Sequence, residues 1–346
     1  MITKTLTCNF ITVIIPTYNR KKCINLLFEL CLLNYKGSLF SFEIHDSSET
    51  DETKKIFLKY KKRLSTNISY YKYCSDISAD DKAINAIKKV KTKYFWLMGD
   101  GNLVNFNKLE AILLKNNFIN YDVLNIDIDK RRGHLGQDKN YSINIIYEYY
   151  NPIKFAKKYF SRLTYWGAAI IQTNYYKQVF SYRLIDKYIE CKNPWWLACS
   201  IFELINYYKI TNRLLKLGVM YTDCLSYNFE KKDHWWTQDE KYYIYVFLEF
   251  NKAIKLLPDL YNSEKENIIK NFRQDALVSN SYLLKLKEQG ILNSFFVKKY
   301  KKEIKNIKGF YYKMILFCYI PKNIVCLINK IKPLIKFIKM HILFIN

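Results

Sequence analysis

Three short polar clusters hold the residues best suited to chemistry, and each directly follows an apolar run. Thr17-Tyr18-Asn19-Arg20 comes after Phe10–Pro16, and Asp46-Ser47-Ser48-Glu49-Thr50-Asp51 after Phe40–His45. Gly99-Asp100-Gly101-Asn102 comes after Tyr94–Met98. Their hydroxyls, amides and carboxylates are hydrogen-bond partners for a polar ligand and oxygen donors for a hard cation. Asp100-Gly101-Asn102 is also a plain turn, because glycine permits positive φ. Further along, Asp186 and Glu190 lie within Leu184–Glu190, and His234 lies in Lys231-Lys232-Asp233-His234-Trp235-Trp236.

The elements that must position these clusters follow from periodicity. Phe10–Pro16 is a β-branched run of buried-strand type, and Lys22–Leu33 carries apolar residues at helical spacing. Phe40–His45, Ile68–Tyr73 and Tyr94–Met98 read as further strands, with helices over Asp51–Tyr60 and Ala79–Val90 between them. Such alternation with short connections predicts a parallel sheet covered by helices on both faces. Ligands of open α/β sheets bind beyond the carboxyl ends of the strands, where the polar clusters fall. After Asn105 the pattern loosens. Strands are expected at Tyr121–Asp127, Tyr165–Gln172 and Val219–Tyr227, with a helix over Asn193–Tyr208 that places Pro194 in its first turn. Beyond Glu240 the chain reads as helical.

Composition narrows the class. The 346 residues carry 56 Lys and Arg against 31 Asp and Glu, a formal charge of +25, which favours an anionic partner. Aromatics make up 17% of the chain, including 31 Tyr and 22 Phe. These features alone admit a nucleic-acid-binding protein, but no recognisable DNA- or RNA-binding module accompanies them. The nine cysteines are scattered and odd in number, without a C-x-x-C pair or zinc-type Cys/His spacing, as suits a reducing cytoplasm. No targeting signal opens the sequence, and no apolar run reaches the ~18 residues that a membrane-spanning helix needs.

Four features stand in the order and spacing of a known family. They are Thr12–Arg20 (TVIIPTYNR), Glu43-Ile44-His45-Asp46-Ser47-Ser48, Asn85, and Tyr94–Asn102 (YFWLMGDGN). The chain is similar in these to family 2 glycosyltransferases of the GT-A fold, including sugar transferases of bacterial surface polysaccharides. The resemblance is good over residues 10–105 and thin through 240. It implies an α/β, Rossmann-like GT-A domain over 1–240, with a donor half (1–105), an acceptor half (106–240) and a helical basic region over 241–346.

The same resemblance implies roles. Pro16, Thr17, Tyr18, Asn19, Asp46, Ser48, Asp100 and Gly101 would bind a nucleotide-sugar donor, with UDP the usual nucleotide. Asp100, Asn102 and His234 would hold Mn or Mg at the diphosphate. Asn102 stands where the family commonly has a second acid, which leaves open a weakly held metal or its replacement by Lys and Arg. The proton acceptor of an inverting transfer is expected at Glu190, with Asp186 as alternative and Asp239 next. The family's Glu-Asp pair is missing, and Pro194-Trp195-Trp196 occupies its place. That departure, with Asn102, keeps a catalytically impaired scaffold in view. Trp166, Trp195 and Trp196 are candidates to stack on acceptor sugars.

The acceptor implied is a glycan or lipid-linked glycan at the cytoplasmic face of the cell membrane. Residues from Phe296 onward hold twelve Lys and one Glu, mixed with apolar residues such as Ile331, Leu334, Ile335 and Ile338, and broken by Pro321 and Pro333. This tail fits a peripheral anchor on an anionic bilayer, a nucleic-acid surface, or a helical cap with solvated lysines; a lipid-linked acceptor favours the first.

Overall fold

The computed structural model describes residues 9–64, 67–128, 142–213, 215–227, 240–271, 280–305, 309–325 and 327. His234, Asp239 and the apolar positions from Ile331 onward lie outside them.

The first strand, β1 (Ile11–Thr17), is buried along its whole length. A short helix, α1 (Lys21–Leu27), widens into a π-turn over Phe28–Leu32. β2 (Phe40–Asp46), α2 (Glu52–Lys61), β3 (Ile68–Lys72), α3 (Ala79–Lys89) and β4 (Tyr94–Leu97) follow in the expected alternation. These four strands are parallel, in spatial order β3-β2-β1-β4. The register sets Thr17 beside Asp46, so the first two polar clusters emerge side by side. Ile, Phe, Tyr and Trp side chains from the strands, α1 and α2 form the core beneath them.

The second half departs from simple alternation. β5 (Asn102–Val104), α4 (Phe106–Lys115), β6 (Val123–Ile128), β7 (Ile146–Tyr149), α5 (Pro152–Leu163) and β8 (Ala169–Gln172) lead to α6 (Thr173–Ser181), α7 (Asp186–Glu190) and α8 (Trp196–Ile210). β9 (Leu217–Thr222) and β10 (Leu225–Tyr227) close this half. The main sheet has eight strands, ordered β3-β2-β1-β4-β8-β6-β9-β7, and β8 runs antiparallel to both β4 and β6. β10 and β5 form a separate two-stranded antiparallel ribbon.

Three sequence expectations are corrected. The strand expected over Tyr165–Gln172 begins only at Ala169, because Tyr165–Gly167 is a turn whose Gly167 amide donates to the Leu97 carbonyl at 2.6 Å. The strand expected over Val219–Tyr227 breaks at Asp223-Cys224, so that its end can pair with β5. The helix expected over Asn193–Tyr208 starts at Trp196, leaving Pro194 in a turn where the Asn193 side chain accepts from the Trp195 amide at 2.9 Å.

The chain divides into two compact units, residues 1–233 with 255–264, and 234–254 with 265–346. Helices make up the second: most of α9 (Glu240–Leu256), then α10 (Lys265–Asn271), α11 (Asn280–Glu288), α12 (Ser294–Lys299), α13 (Lys301–Ile304) and α14 (Phe310–Tyr319). Among the described residues no helix is long and apolar enough to cross a membrane.

Gly167 is the residue on which the join between β4, β5 and β8 depends. Its φ is +103°, and a Cβ there would sit 2.5 Å from the Asn102 side-chain nitrogen. Gly167→Ala therefore combines backbone strain with a clash and should cost about 1–3 kcal/mol, measured by urea unfolding. An unchanged midpoint would show that the turn re-forms without glycine.

Candidate functional site

The carboxyl ends of β1 and β4 converge on Asp100. Its carboxylate is nearly buried, and both oxygens are engaged. Thr17 Oγ1 donates to Oδ2 at 2.9 Å, and Arg20 Nη1 donates to Oδ1 at 2.8 Å. The Asp100 side chain is 6% exposed and that of Arg20 30%, so the guanidinium forms the outer side of the pair. Burial alone would lower the Arg20 pKa, but the Asp100 charge and hydrogen bond outweigh it and the net shift is upward.

A second cation lies beneath. Lys82 projects from the apolar face of α3, beside Ala83, Ala86 and Ile87, and is buried. Its ammonium donates to the Thr17 carbonyl at 2.6 Å and to Ser47 Oγ at 2.7 Å, bridging the loops after β1 and β2. Burial pushes its pKa down to about 8, against the pull of Asp46 and Asp100.

Asp46 is fully buried and turned onto its own surroundings. It accepts from the Ser48 amide at 2.8 Å, from the Ser48 hydroxyl and from the Tyr70 hydroxyl at 2.6 Å, with Lys72 Nζ 3.5 Å away. Burial and that carboxylate together push the Tyr70 hydroxyl pKa up. Asn19 adopts a left-handed conformation, φ +52°, donating its amide to Ser48 Oγ at 2.8 Å and accepting from the Glu49 amide at 3.1 Å. Tyr18 is exposed, with its hydroxyl on Glu49 at 2.7 Å. Pro16, next to last in β1, pairs with His45. An open depression of about 750 Å³, lined by Lys72, Tyr73, Cys74, Asp76 and Ile77, adjoins this loop where β3 leads into α3. Arg20, Lys72 and Lys82 match Asp46, Asp100 and Glu49 in number, so the cluster holds its cations among paired carboxylates.

Gly101 and Asn102 are buried after Asp100, and the Asn102 side-chain nitrogen donates to the Trp166 carbonyl at 3.0 Å. Among the described residues no three His, Cys, Asp or Glu side chains form a group able to hold a metal ion.

The expected proton acceptors lie on α7. Glu190 ends α7 exposed, and Asp186 accepts from Arg183 at 2.5 Å; no described hydrogen bond or ion pair joins either to the Asp100 cluster. Trp195 and Trp196 are buried, which removes their rings as platforms for an acceptor sugar, whereas Trp166 keeps partial exposure. Trp196 instead donates its indole N–H to Asp80 Oδ1 at 2.7 Å. Asp80 stands in the first turn of α3, two residues before Lys82, after a Ser78 cap. Burial pushes its carboxyl up to about 6, with Asp81 adding to the rise and the Trp196 hydrogen bond opposing it. Sequence reasoning missed Lys82 and Asp80. The signal available for Lys82 was a lysine on the apolar face of an amphipathic helix; nothing local marked Asp80, whose partner is 116 residues away.

A half-parallel sheet with polar loops gathered at the carboxyl ends of its parallel strands, and an aspartate where β4 ends, define a nucleotide-binding α/β domain. Residues 12–180, just under half of the chain, match the family model described as glycosyl transferase family 2. The protein is a glycosyltransferase with a GT-A fold and a helical C-terminal region. No curated protein matches it in sequence. Similar solved structures include residues 1–349 of TarS from S. aureus, at 16% identity and a TM-score of 0.47, covering 92% of this chain and 91% of that one. The same segment in complex with UDP-GlcNAc has 15% identity and a TM-score of 0.46, covering 88% and 83%. The mannosyltransferase PcManGT from Pyrobaculum calidifontis, in complex with GDP-Man and Mn²⁺, has 10% identity and a TM-score of 0.45, covering 91% and 89%.

Lys82 makes a pH-dependent contribution whose sign is fixed. Its folded pKa, about 8, lies below the ordinary value of 10.5, so between those values the unfolded chain binds the extra proton. Stability due to this residue therefore rises as pH increases from about 8 to 10.5. Over that range wild type should gain stability relative to Lys82→Met in matched urea titrations. A constant difference would mean that Lys82 is not held as a buried cation.

Proposed function

We propose that the protein transfers a sugar, with inversion, from a UDP-sugar to a glycan or lipid-linked acceptor in bacterial polysaccharide or lipooligosaccharide assembly. The observation that carries the donor site is the buried Asp100 carboxylate clasped by Thr17 and Arg20 at the carboxyl ends of β1 and β4. Arg20, half-buried on the outer side of its pair with Asp100, meets the diphosphate; Thr17, Asn19 and Ser48 fix the two loops that flank it. Tyr18 offers an exposed ring to the base, and Asp46 serves by holding the loop after β2 in shape.

A divalent cation fits this site as a partner shared with the donor. Mg²⁺ or Mn²⁺ commonly takes one or two protein carboxylates and completes its shell with substrate phosphates. Asp100 supplies one carboxylate, and Asn102, whose amide nitrogen is committed to Trp166, has an oxygen to offer. His234 is the further candidate. When bound, such an ion stabilises the negative charge of the departing diphosphate.

For the acceptor proton, Asp80 is a candidate beside Glu190. It is part-buried at the start of α3, oriented by Trp196, and its pKa near 6 suits a base at neutral pH. Trp196 lies where the family's acidic pair is missing, so the indole aims a carboxylate contributed by another helix. Association of the basic C-terminal region with the inner face of the membrane would bring the enzyme to a lipid-linked acceptor.

Titration calorimetry should show UDP binding strengthened by Mn²⁺ or Mg²⁺ and weakened at least about tenfold in Asp100→Ala, the scale of a lost charge-assisted contact. Equal affinity in the two proteins would remove Asp100 from the donor site. Asp80→Asn keeps an acceptor for Trp196 and should bind UDP normally while turnover falls on the order of 10²–10⁴-fold. The wild-type rate should rise with pH through about 6, the carboxyl's own value. If Glu190→Gln shows that loss and Asp80→Asn does not, the base is Glu190.

A further inference from the structure

The helix α14 is finished on one side and open on the other. Phe310, Met314, Phe317 and Cys318 are buried against α11 and α12, and Lys287 donates to the Cys318 carbonyl. On the opposite side Tyr312, Leu316 and Tyr319 are 78%, 66% and 75% exposed. Their spacing, i, i+4 and i+7, puts all three on one stripe of the helix. Beyond Pro321, Ile324 and Leu327 are exposed as well, and Phe295 is exposed on α12. Large side chains at this exposure, collected on one helix face, are uncommon unless something covers them.

Charge decides what covers them. In the same segment of the chain, Lys298, Lys299, Lys301, Lys302, Lys305 and Lys322 are all exposed. Residues 294–327 hold eight Lys and one Glu. A second copy of this chain would bring the same positive charge to the contact and be repelled. An anionic bilayer would not. Tyrosine, with a ring that enters the headgroup boundary and a hydroxyl that stays wet, is the residue type suited to that depth. Lysines with long apolar stems can flank the stripe while their ammonium groups reach lipid phosphates.

We propose that the Tyr312–Leu316–Tyr319 face of α14, acting with the exposed lysines of the same segment, is the element that docks the protein on an anionic lipid surface. Apolar insertion supplies the short-range hold and lysine the attraction, at about 1 kcal/mol per engaged charge, screened within ~8 Å at physiological salt. Both are needed for reversible binding. The proposal deepens the membrane association suggested above and replaces a diffuse basic tail with one helix face.

The test uses the full chain and phosphatidylglycerol/phosphatidylcholine vesicles in a sedimentation assay. Wild type should bind at low salt and lose most binding at 0.5 M NaCl or on pure phosphatidylcholine. The triple variant Tyr312→Ser/Leu316→Ser/Tyr319→Ser alters only exposed side chains, so its melting curve and UDP affinity should match wild type while vesicle binding drops at least tenfold. In Leu316→Trp, brominated lipid should quench added fluorescence that appears only with anionic vesicles. Wild type that ignores anionic vesicles overturns the membrane association itself. Wild type that binds, with a triple variant that binds equally, overturns the role of α14 alone. A triple variant that loses a single-stranded oligonucleotide and keeps the vesicle assigns the face to nucleic acid and overturns the proposal.

Discussion

The parallel part of the sheet is organised around one buried carboxylate. Removing Asp100 from water is costly unless its charge is matched and its oxygens are hydrogen-bonded. Thr17 and Arg20 supply both conditions, and both come from the end of the neighbouring strand. That requirement fixes β1 against β4 at their carboxyl ends and shapes the turn between them. Lys82 extends the arrangement sideways by bridging the loops after β1 and β2 from a helix that packs on the sheet. A site built this way is held in place before a ligand arrives, which lowers the cost of ordering it on binding.

The same constraint explains why the turn after β4 tolerates so little change. Asn102 must leave Asp100 directed at Arg20 and still satisfy its own buried amide. It does so on the Trp166 carbonyl, and only a glycine at 167 leaves room for it. The short strand β5 then pairs with β10, tying this turn to the far end of the domain.

The first four strands and their helices were legible in the sequence because each was a local pattern: Phe10–Pro16 and Tyr94–Met98 as apolar runs, Ala79–Val90 as an amphipathic helix. The placement of Thr17 and Asp100 at strand ends followed from those patterns alone, and the family resemblance from their order. What escaped depended on distant partners. The reversed direction of β8 is a property of its neighbours β4 and β6, and the break at Asp223-Cys224 exists for pairing with β5. Lys82 stood on the apolar face of its helix, but the two loops that it bridges are remote in sequence. Asp80 acquires its character from Trp196, which the sequence offered as a platform for an acceptor sugar and not as a partner for a carboxylate. The α14 stripe was masked by the general abundance of lysine and tyrosine, and it emerges only when buried and exposed faces of that helix are separated.

The central claim is that the Thr17–Arg20–Asp100 cluster receives the donor diphosphate. A crystal structure of the full chain with a UDP-sugar and Mn²⁺ tests it most directly. The account predicts that the diphosphate lies within hydrogen-bonding distance of the Arg20 guanidinium, with the metal on Asp100 and the uracil against Tyr18. A diphosphate bound away from these residues, with the Arg20–Asp100 pair unchanged and remote from the ligand, would contradict it.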